Sequence, residues 1–153
     1  MYAEKLLPHD LEAEEAVVGS VLIDGDCFSR VSPYIKAADF YRERNQLCFA
    51  ACEALFQRDE AIDQVTLARE LSRASQLETV GGMAYLSHLI SVTPTSAHSE
   101  HYANVVARTA TMRAMVPVLP PIAEAARDWS AEELWWIVFN GVKMSGMPGW
   151  PGK

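Results

Sequence analysis

The sequence is poor in cysteine and contains no long apolar run. Its three cysteines are Cys27, Cys48 and Cys52, and this odd, low number provides no disulfide framework and indicates a reducing compartment. No apolar stretch approaches the roughly 20 residues that a membrane-spanning helix requires. Acidic residues interrupt the N-terminal segment, which excludes the pattern of a signal peptide. We therefore expect a cytoplasmic protein without a membrane partner.

Positive charge is also scarce. Against 13 lysines and arginines stand 20 aspartates and glutamates, which gives a net charge of -7. An acidic domain is repelled by phosphate backbones, so tight DNA binding by the chain alone is not expected. The length of 153 residues suits one domain with a core, and an apolar content of 50% is that of a globular protein. Proteins are therefore the expected partners.

Apolar residues recur at helical spacing, and no segment shows the alternation of a strand. In residues 42–58 the pairs at 47/48, 51/52 and 55/56 are apolar and four residues apart. Asp10 and Asp63 stand where helix N-caps are expected. The pattern predicts an all-α protein with helices over 11–22, 27–31, 42–58, 65–74 and 83–90, and a longer helix that begins at 93–96 and ends near 116.

The character of the sequence changes at residue 117. Pro117, Pro120 and Pro121 forbid a continuous helix. The capping-box pattern of residues 130–133 starts a short apolar helix, and the remainder to Lys153 is rich in glycine and proline. We predict a compact helical bundle over residues 1–116 and an atypical tail over residues 117–153.

Two pairs of potential metal ligands lie one helical turn apart. Cys48 and Cys52 form the first pair, but two small buried core residues are the better interpretation, because no second pair has zinc spacing. His98 and His101 form the second pair, and exposed positions are again favoured over a metal site. Gly81-Gly82 is interpreted as a helix start after a turn rather than a phosphate loop, because no strand precedes it.

Two groups of side chains have both a functional and a structural interpretation. Glu12, Glu14 and Glu15 could act as acids or bases, but a solvated first helical turn stabilised by the helix dipole is favoured. The tryptophans of the tail could stack on bases. Acidic neighbours favour packing or an exposed apolar patch instead. The tryptophans are Trp129, Trp135, Trp136 and Trp150.

Several stretches occur in the order of one family pattern. They are residues 7–22, Asp39-Phe40-Tyr41, residues 62–67, Leu77-Glu78 with residues 81–86, and residues 94–96 with Tyr102-Ala103. Together, over about residues 5–115, they resemble the N-terminal domain of the bacterial DnaB-type replicative helicases. The resemblance implies a compact all-helical bundle that self-associates as a collar on the helicase ring and helps to engage primase.

The motor of that family is a separate domain with a phosphate-binding Walker loop. The loop requires Gly-x-x-x-x-Gly-Lys followed by a hydroxyl residue. The Gly-Lys pair of this chain is Gly152-Lys153, no hydroxyl residue follows it, and Met147 stands where the first glycine is needed. ATP hydrolysis by this chain alone is therefore not expected, and no residue is assigned a catalytic role. A full ATP-dependent helicase is the alternative, if the chain is part of a longer product.

Residues 123–150 instead resemble the last part of a class I c-type cytochrome. In that family the methionine of a Gly-Met-Pro loop is an axial haem ligand, and the matching residue is Met147. Covalent haem also needs Cys-x-x-Cys-His, and neither Cys48 nor Cys52 belongs to such a motif. An electron-transfer protein is therefore the less favoured alternative, and no cofactor is expected. Because the family's dimer-forming hairpin is replaced here, self-association should be weakened.

The favoured function is a non-catalytic interaction domain of DNA replication and the primosome. Its expected partners are helicase subunits and primase, with DNA contacted only as part of a complete helicase. The predicted helices around 42–56 and 96–115 are the first regions in which to seek the contact surfaces.

Overall fold

A computed structural model describes residues 7–117, and within this range the regular elements are helices. Residues Ala37–Asp39 form a short 3₁₀ turn. The helices are α1 (Leu11–Ile23), α2 (Cys27–Val31), α3 (Glu43–Gln57), α4 (Gln64–Arg73), α5 (Leu77–Val80), α6 (Gly82–Val92) and α7 (Ser99–Met115). The all-α prediction is confirmed. None of these helices is both long enough and apolar enough to cross a bilayer.

The predicted capping residues begin their helices. The Asp10 carboxylate accepts a hydrogen bond from the backbone N–H of Ala13 at the start of α1. Asp63 starts α4 by accepting from Val65 and Thr66, both at 2.8 Å, while the Thr66 hydroxyl accepts from the Asp63 N–H. Side-chain oxygens satisfy N–H groups that have no partner within the helix. The sequence thus predicted these two starts to within one residue.

Most helix boundaries lie within two residues of the prediction, but one helix was missed and another was started too early. The short helix α5 was not predicted, because four residues are too few for a periodic pattern. The last helix begins at Ser99 rather than at 93–96. Residues 93–95 are instead an extended connector: Thr93 is buried against α1, and the carbonyl oxygen of Thr95 faces the hydroxyl of Ser20 at 3.5 Å.

α1 packs most extensively against α6 and also contacts α2 and α3. Val17, Val18 and Val21 are fully buried, so both sides of the helix contact other elements. Gly19 permits the closest approach, because a Cβ atom there would collide with the Thr93 hydroxyl and the Leu89 carbonyl oxygen. Leu86 and Leu89 of α6 complete this contact without exposed surface.

Four phenylalanines form a series of ring contacts, the aromatic ladder, from the core to the surface. Phe40 meets Phe49 with ring centroids 5.0 Å apart, and Phe49 meets Phe28 at 5.2 Å. Phe28 then contacts Phe56 at 5.0 Å. The first three rings are buried, whereas Phe56 is 47% exposed. Tilted contacts at these distances are favourable aromatic geometry, so Phe56 is an exposed ring on a rigid support.

The Asp63 cap predicts a pH-dependent contribution to stability. Hydrogen bonds from the backbone N–H of Thr66 and then of Val65 lower the pKa of Asp63 in the folded protein. A lowered folded pKa stabilises the fold above the unfolded pKa, and this contribution is lost as the pH falls through the folded value. Asp63→Ala should cost about 1 kcal/mol at neutral pH. Urea unfolding at pH 7 and pH 3 should give a smaller difference at pH 3.

Asp63→Asn is the matched control for this prediction. Asparagine caps helices about as well as aspartate but does not titrate. Asp63→Asn should therefore keep most of the stability at pH 7. If Asp63→Ala lowered the free energy of unfolding equally at the two pH values, the ionised carboxylate of Asp63 would not be what stabilises this helix start.

Candidate protein-interaction surface

A buried carboxylate joins α1 to the start of α3. Glu14 has no exposed surface. It accepts hydrogen bonds from the backbone N–H of Tyr41 at 2.5 Å and of Arg42 at 3.3 Å, and from the Asn45 side-chain amide at 3.0 Å. Tyr41 and Arg42 immediately precede α3, so Glu14 supplies acceptors to the positive end of that helix. The prediction of a solvated Glu14 was wrong.

The network continues from Asn45 towards the surface. The Tyr85 hydroxyl donates a hydrogen bond to the Asn45 side-chain oxygen, and burial raises the pKa of Tyr85. The Arg44 guanidinium lies 4.0 Å from the centroid of the Tyr85 ring. Arg44 also pairs with Glu15 at 3.6 Å. Of the three carboxylates predicted to be solvated, Glu12 is exposed, Glu14 is buried and Glu15 is partly buried.

His88 of α6 closes this network at the protein surface. Its Nε2 atom lies 3.3 Å from the Glu15 carboxylate, and nearly half of the His88 side chain is exposed. The arrangement ties α1, α3 and α6 together through polar contacts. It provides rigidity rather than a reactive group, because the buried acceptors are already occupied by donors.

α7 is attached to the bundle along only part of its length. Ser99, Ala103 and Val106 are its buried residues. In its second half, from residue 107, no residue is buried, and Met112 and Met115 are 47% and 49% exposed. A helix normally buries an apolar stripe. Within the described residues, the outer part of α7 therefore leaves apolar side chains exposed.

Arg113 fixes this second half to the rest of the bundle. Its guanidinium donates a hydrogen bond to the Pro8 carbonyl oxygen at 2.8 Å and another to the Asp39 carbonyl oxygen. It also lies 5.6 Å from the centroid of the Tyr41 ring, on which His9 stacks at 4.3 Å. One side chain thus connects α7 to the N-terminal segment and to the turn before α3. We call these contacts the Arg113 clamp.

Arg113→Ala should loosen α7 without unfolding the bundle. Two hydrogen bonds from a charged donor are lost, at a cost of about 2 kcal/mol. Hydrogen exchange should accelerate most for amides in the second half of α7, which lacks buried side chains. Arg108→Ala is the matched control, because Arg108 is an exposed arginine of the same helix. Equal exchange rates in the two variants would contradict a clamping role.

A groove of about 590 Å³ runs between α1 and α7. Val92, Pro94 and Val105 contribute apolar surface to it. Its polar lining is acidic and aromatic, and consists of Asp10, Glu12, Glu15, His101 and Tyr102. Such a surface suits a protein with exposed basic and apolar side chains rather than a phosphate backbone.

The candidate metal ligands do not assemble into a site. Cys48 and Cys52 are both buried, as predicted for core residues. Burial raises the pKa of Cys48 to about 12 and that of Cys52 further, so both remain thiols. Within residues 7–117 no group of three or more histidine, cysteine or acidic side chains is placed to hold a metal ion.

The remaining candidates also have structural positions. His98 and His101 are both exposed, as predicted, but His98 lies in the turn before α7. Gly81 has a left-handed backbone with φ of 110°, which glycine adopts readily, and α6 starts at the next residue. Met147 and the tryptophans of the tail lie outside the described residues.

Of the two predicted contact regions, α7 offers more free surface than α3. α3 buries Asn45, Cys48, Phe49, Cys52 and Leu55 in the bundle. Its principal exposed apolar side chain is Phe56, at its C-terminal end. The Arg113 clamp could not be predicted from the sequence, because its acceptors are backbone carbonyl groups, which every residue has.

Comparison with known proteins agrees with this architecture. The family model of the DnaB-like helicase N-terminal domain matches residues 6–108. The replicative DNA helicase DnaB of Geobacillus stearothermophilus is 36% identical over 124 residues, which cover 81% of this chain and 27% of that protein. The DnaB of Mycobacterium leprae is 40% identical over 109 residues, covering 71% of this chain and 18% of the relative.

Two solved structures share the fold. The N-terminal domain of the Mycobacterium tuberculosis DnaB helicase matches with a TM-score of 0.74 at 35% identity, covering 82% of this chain and 88% of that one. The N-terminal domain of the Helicobacter pylori DnaB helicase, described with its interactions with primase, matches with a TM-score of 0.62 over 76% and 90% of the two chains. Its 19% identity shows the fold alone.

The chain spans about a quarter or less of the full-length relatives, since the matches cover 27% and 18% of them. It covers most of each solved N-terminal domain. The chain belongs to the DnaB-like helicase N-terminal domain family.

Proposed function

We propose that this chain works through protein contacts, as a non-catalytic domain of a replicative helicase that engages helicase subunits and primase. The observation that carries the proposal is the second half of α7, which buries no residue and exposes Met112 and Met115. Apolar surface of this kind on a fixed helix is typical of a contact with another protein. Replication in the cytoplasm would be the setting.

The acidic charge supports proteins as partners. A net charge of -7 disfavours phosphate, so DNA would be contacted only when other parts of a helicase supply the binding surface. Isolated protein should show no ATPase activity and little DNA binding at physiological salt. Tight DNA binding that is insensitive to salt would contradict the proposal.

Self-association is the first partner contact to test. We expect it to be weaker than in an intact family domain, because residues 117–153 depart from the family's helical hairpin. Light scattering at micromolar concentration should report mainly monomer, and Met112→Asp should abolish the residual association. Val65→Asp is the control, because Val65 is 61% exposed on another helix. A stable dimer or larger ring at this concentration would contradict the expected weakening.

Primase is the second partner. The Helicobacter pylori domain, which shares the fold, is described with its interactions with primase, and the acidic, partly apolar groove between α1 and α7 is the surface that we propose for such a contact here. Calorimetric titration with the primase of the same organism should show binding that Glu12→Lys or Met112→Asp weakens and Val65→Asp does not. Binding unchanged in both of the first two variants would place the contact elsewhere.

The activity of a whole helicase is a separate proposal. If the gene encodes a Walker motor in the same reading frame, the chain would be the interaction domain of an ATP-dependent DNA helicase. The genomic sequence across residues 110–125 and beyond Lys153 tests this. We also propose that the chain divides into a bundle over 1–116 and a tail over 117–153, because the character of the sequence changes at Pro117.

The electron-transfer alternative depends on the tail alone. Met147, in a Gly-Met-Pro sequence, is its one candidate haem ligand. The chain contains no Cys-x-x-Cys-His, and Cys48 and Cys52 are buried, so its residues do not fit a covalently attached haem. We therefore expect no Soret absorbance from purified protein. A Soret band stoichiometric with protein would favour the alternative.

A further inference from the structure

A second groove lies at the other end of α1 from the Arg113 clamp. The clamp holds Pro8, just before α1 begins, whereas this groove starts at Ile23, where α1 ends. Its volume is about 570 Å³, within the range of sites that bind small ligands or single side chains. The C-terminal end of α3 and the connector before α4 form the opposite wall. We call it the α1–α3 groove.

Two large apolar side chains line the α1–α3 groove. Ile23 and Phe56 are 46% and 47% exposed. Phe56 is the last ring of the aromatic ladder, so Phe28 supports one side of it and leaves the rest accessible. An aromatic ring with a fixed orientation loses little conformational entropy when another side chain packs on it. Ile23 and Phe56 thus provide a preformed apolar contact.

The groove is also rigid at its base. Gly25 lies so close to the connector that a Cβ atom there would be 2.7 Å from the Ile62 carbonyl oxygen. Ile62 itself is buried in the core. The turn after α1 and the connector before α4 are therefore packed backbone against backbone. A partner would meet a formed surface rather than order a loose one.

The polar lining of the groove is entirely acidic in charge. Four carboxylates line it, and no lysine or arginine belongs to its lining. Asp24 pairs with Arg30 at 3.2 Å, and Glu60 pairs with Arg58 at 2.7 Å. Among the described residues Asp26 and Asp59 are exposed and have no ion-pair partner within 4.0 Å. Two negative charges therefore remain available beside the exposed Phe56.

We propose that the α1–α3 groove is a second docking surface, which binds a basic segment of a partner protein that carries one large apolar side chain. The apolar side chain would pack on Phe56 and Ile23, and flanking lysines or arginines would face Asp26 and Asp59. Charge complementarity selects this occupant, because the chain is acidic and the groove has no cation in its lining. This surface is separate from the exposed half of α7.

A labelled peptide, Gly-Lys-Arg-Trp-Arg-Lys-Gly, provides a direct probe. Fluorescence anisotropy at low salt should detect binding, and replacing its tryptophan by alanine should weaken binding about tenfold. Amide shifts in NMR spectra should concentrate in residues 23–29 and 56–62. Phe56→Ala in the protein should cause a loss of the same size. Equal binding of the two peptides, or shifts confined to other regions, would overturn the proposal.

Two isosteric substitutions test the charges. Asp26→Asn with Asp59→Asn should lower the affinity about tenfold at low salt and less at high salt. Asn suits position 59 because Asp59 has a left-handed backbone with φ of 58°. Glu43→Gln with Glu78→Gln is the control, since it removes two exposed charges that lie outside the lining of the groove. Equal losses of affinity in the two double variants would mean that the overall negative charge of the protein attracts the peptide, and this result would overturn the proposal.

The other possible occupant of the groove is a second copy of this chain. Light scattering of the Phe56→Ala protein distinguishes this occupant from a basic partner. The groove proposal predicts an unchanged molar mass. A fall in molar mass would assign the groove to self-association and overturn the choice of a basic partner. Thermal unfolding of each variant checks that the bundle is intact, and the charge variants keep the test valid should Phe56→Ala destabilise the fold.

Discussion

Replacing Glu14 by alanine is expected to destabilise the domain by about 3 kcal/mol or more. The Glu14 carboxylate has no exposed surface and accepts from two backbone N–H groups and the Asn45 amide. Alanine would leave the buried Asn45 amide and the two partly buried N–H groups at the positive end of α3 without this acceptor. Urea unfolding of purified protein measures the loss directly.

Two variants separate the carboxylate from the loss of side-chain volume. Glu14→Gln keeps an acceptor oxygen but also directs an NH₂ group at N–H donors, so about half of the loss is expected. Glu12→Ala, at an exposed position of the same helical turn, should change stability by less than about 0.5 kcal/mol. A Glu14→Ala protein as stable as Glu12→Ala would refute the role of Glu14 as the acceptor for the start of α3.

Replacing Gly19 by alanine should also destabilise strongly, although alanine is the better helix former. In an exposed helix the exchange would stabilise by about 1 kcal/mol. At Gly19 the new methyl group would collide with the Thr93 hydroxyl and the Leu89 carbonyl oxygen. Overpacking against a backbone atom forces α6 away from α1, so we expect a net cost of about 2 kcal/mol. The midpoint of urea unfolding reports it.

A double variant identifies the cause of this cost. Thr93→Ala removes the hydroxyl oxygen but leaves the Leu89 carbonyl in place. Gly19→Ala should therefore cost less in a Thr93→Ala background, and a coupling of about 1 kcal/mol is expected from a double-mutant cycle. Gly82→Ala provides a comparison, because a Cβ there meets no atom within 4 Å and only its φ of 67° is strained. Additive effects of the Gly19 and Thr93 changes would exclude the collision.

The helices could be predicted because their signals are local. Asp10 and Asp63 cap α1 and α4 through N–H groups two or three residues away. The spacing of apolar residues in α3 is likewise contained in one segment. Patterns of this kind are legible without knowledge of the tertiary structure.

The interior contacts could not be predicted, because their partners are distant in sequence. Glu14 resembles its neighbours Glu12 and Glu15, and only the N–H groups of Tyr41 and Arg42 distinguish it. The start of α7 was placed too early for the same reason, since the contact of Thr93 with Gly19 joins the connector after α6 to the distant helix α1. Burial of a polar side chain is decided by the partner that it meets.

Of the candidate surfaces, one could likewise be predicted from the sequence and the other could not. The sequence identified the region of α7 because it contains a long helix with mixed polarity. It did not identify the α1–α3 groove, which combines a turn, the end of α3 and a connector. Phe56 was visible as an apolar residue of α3, but its exposure depends on where the aromatic ladder ends.

The Arg113 clamp has an evolutionary consequence. Its two acceptors are the carbonyl oxygens of Pro8 and Asp39, which belong to the main chain. The Arg113 contact itself therefore places no demand on the side chains at positions 8 and 39, although the Asp39 carboxylate is needed locally to accept from the Lys36 N–H. Position 113 has no such freedom, because only an arginine reaches both oxygens with a forked donor. The contact thus selects one side chain, that of Arg113, and leaves the identities of its two partners to be selected by their other contacts.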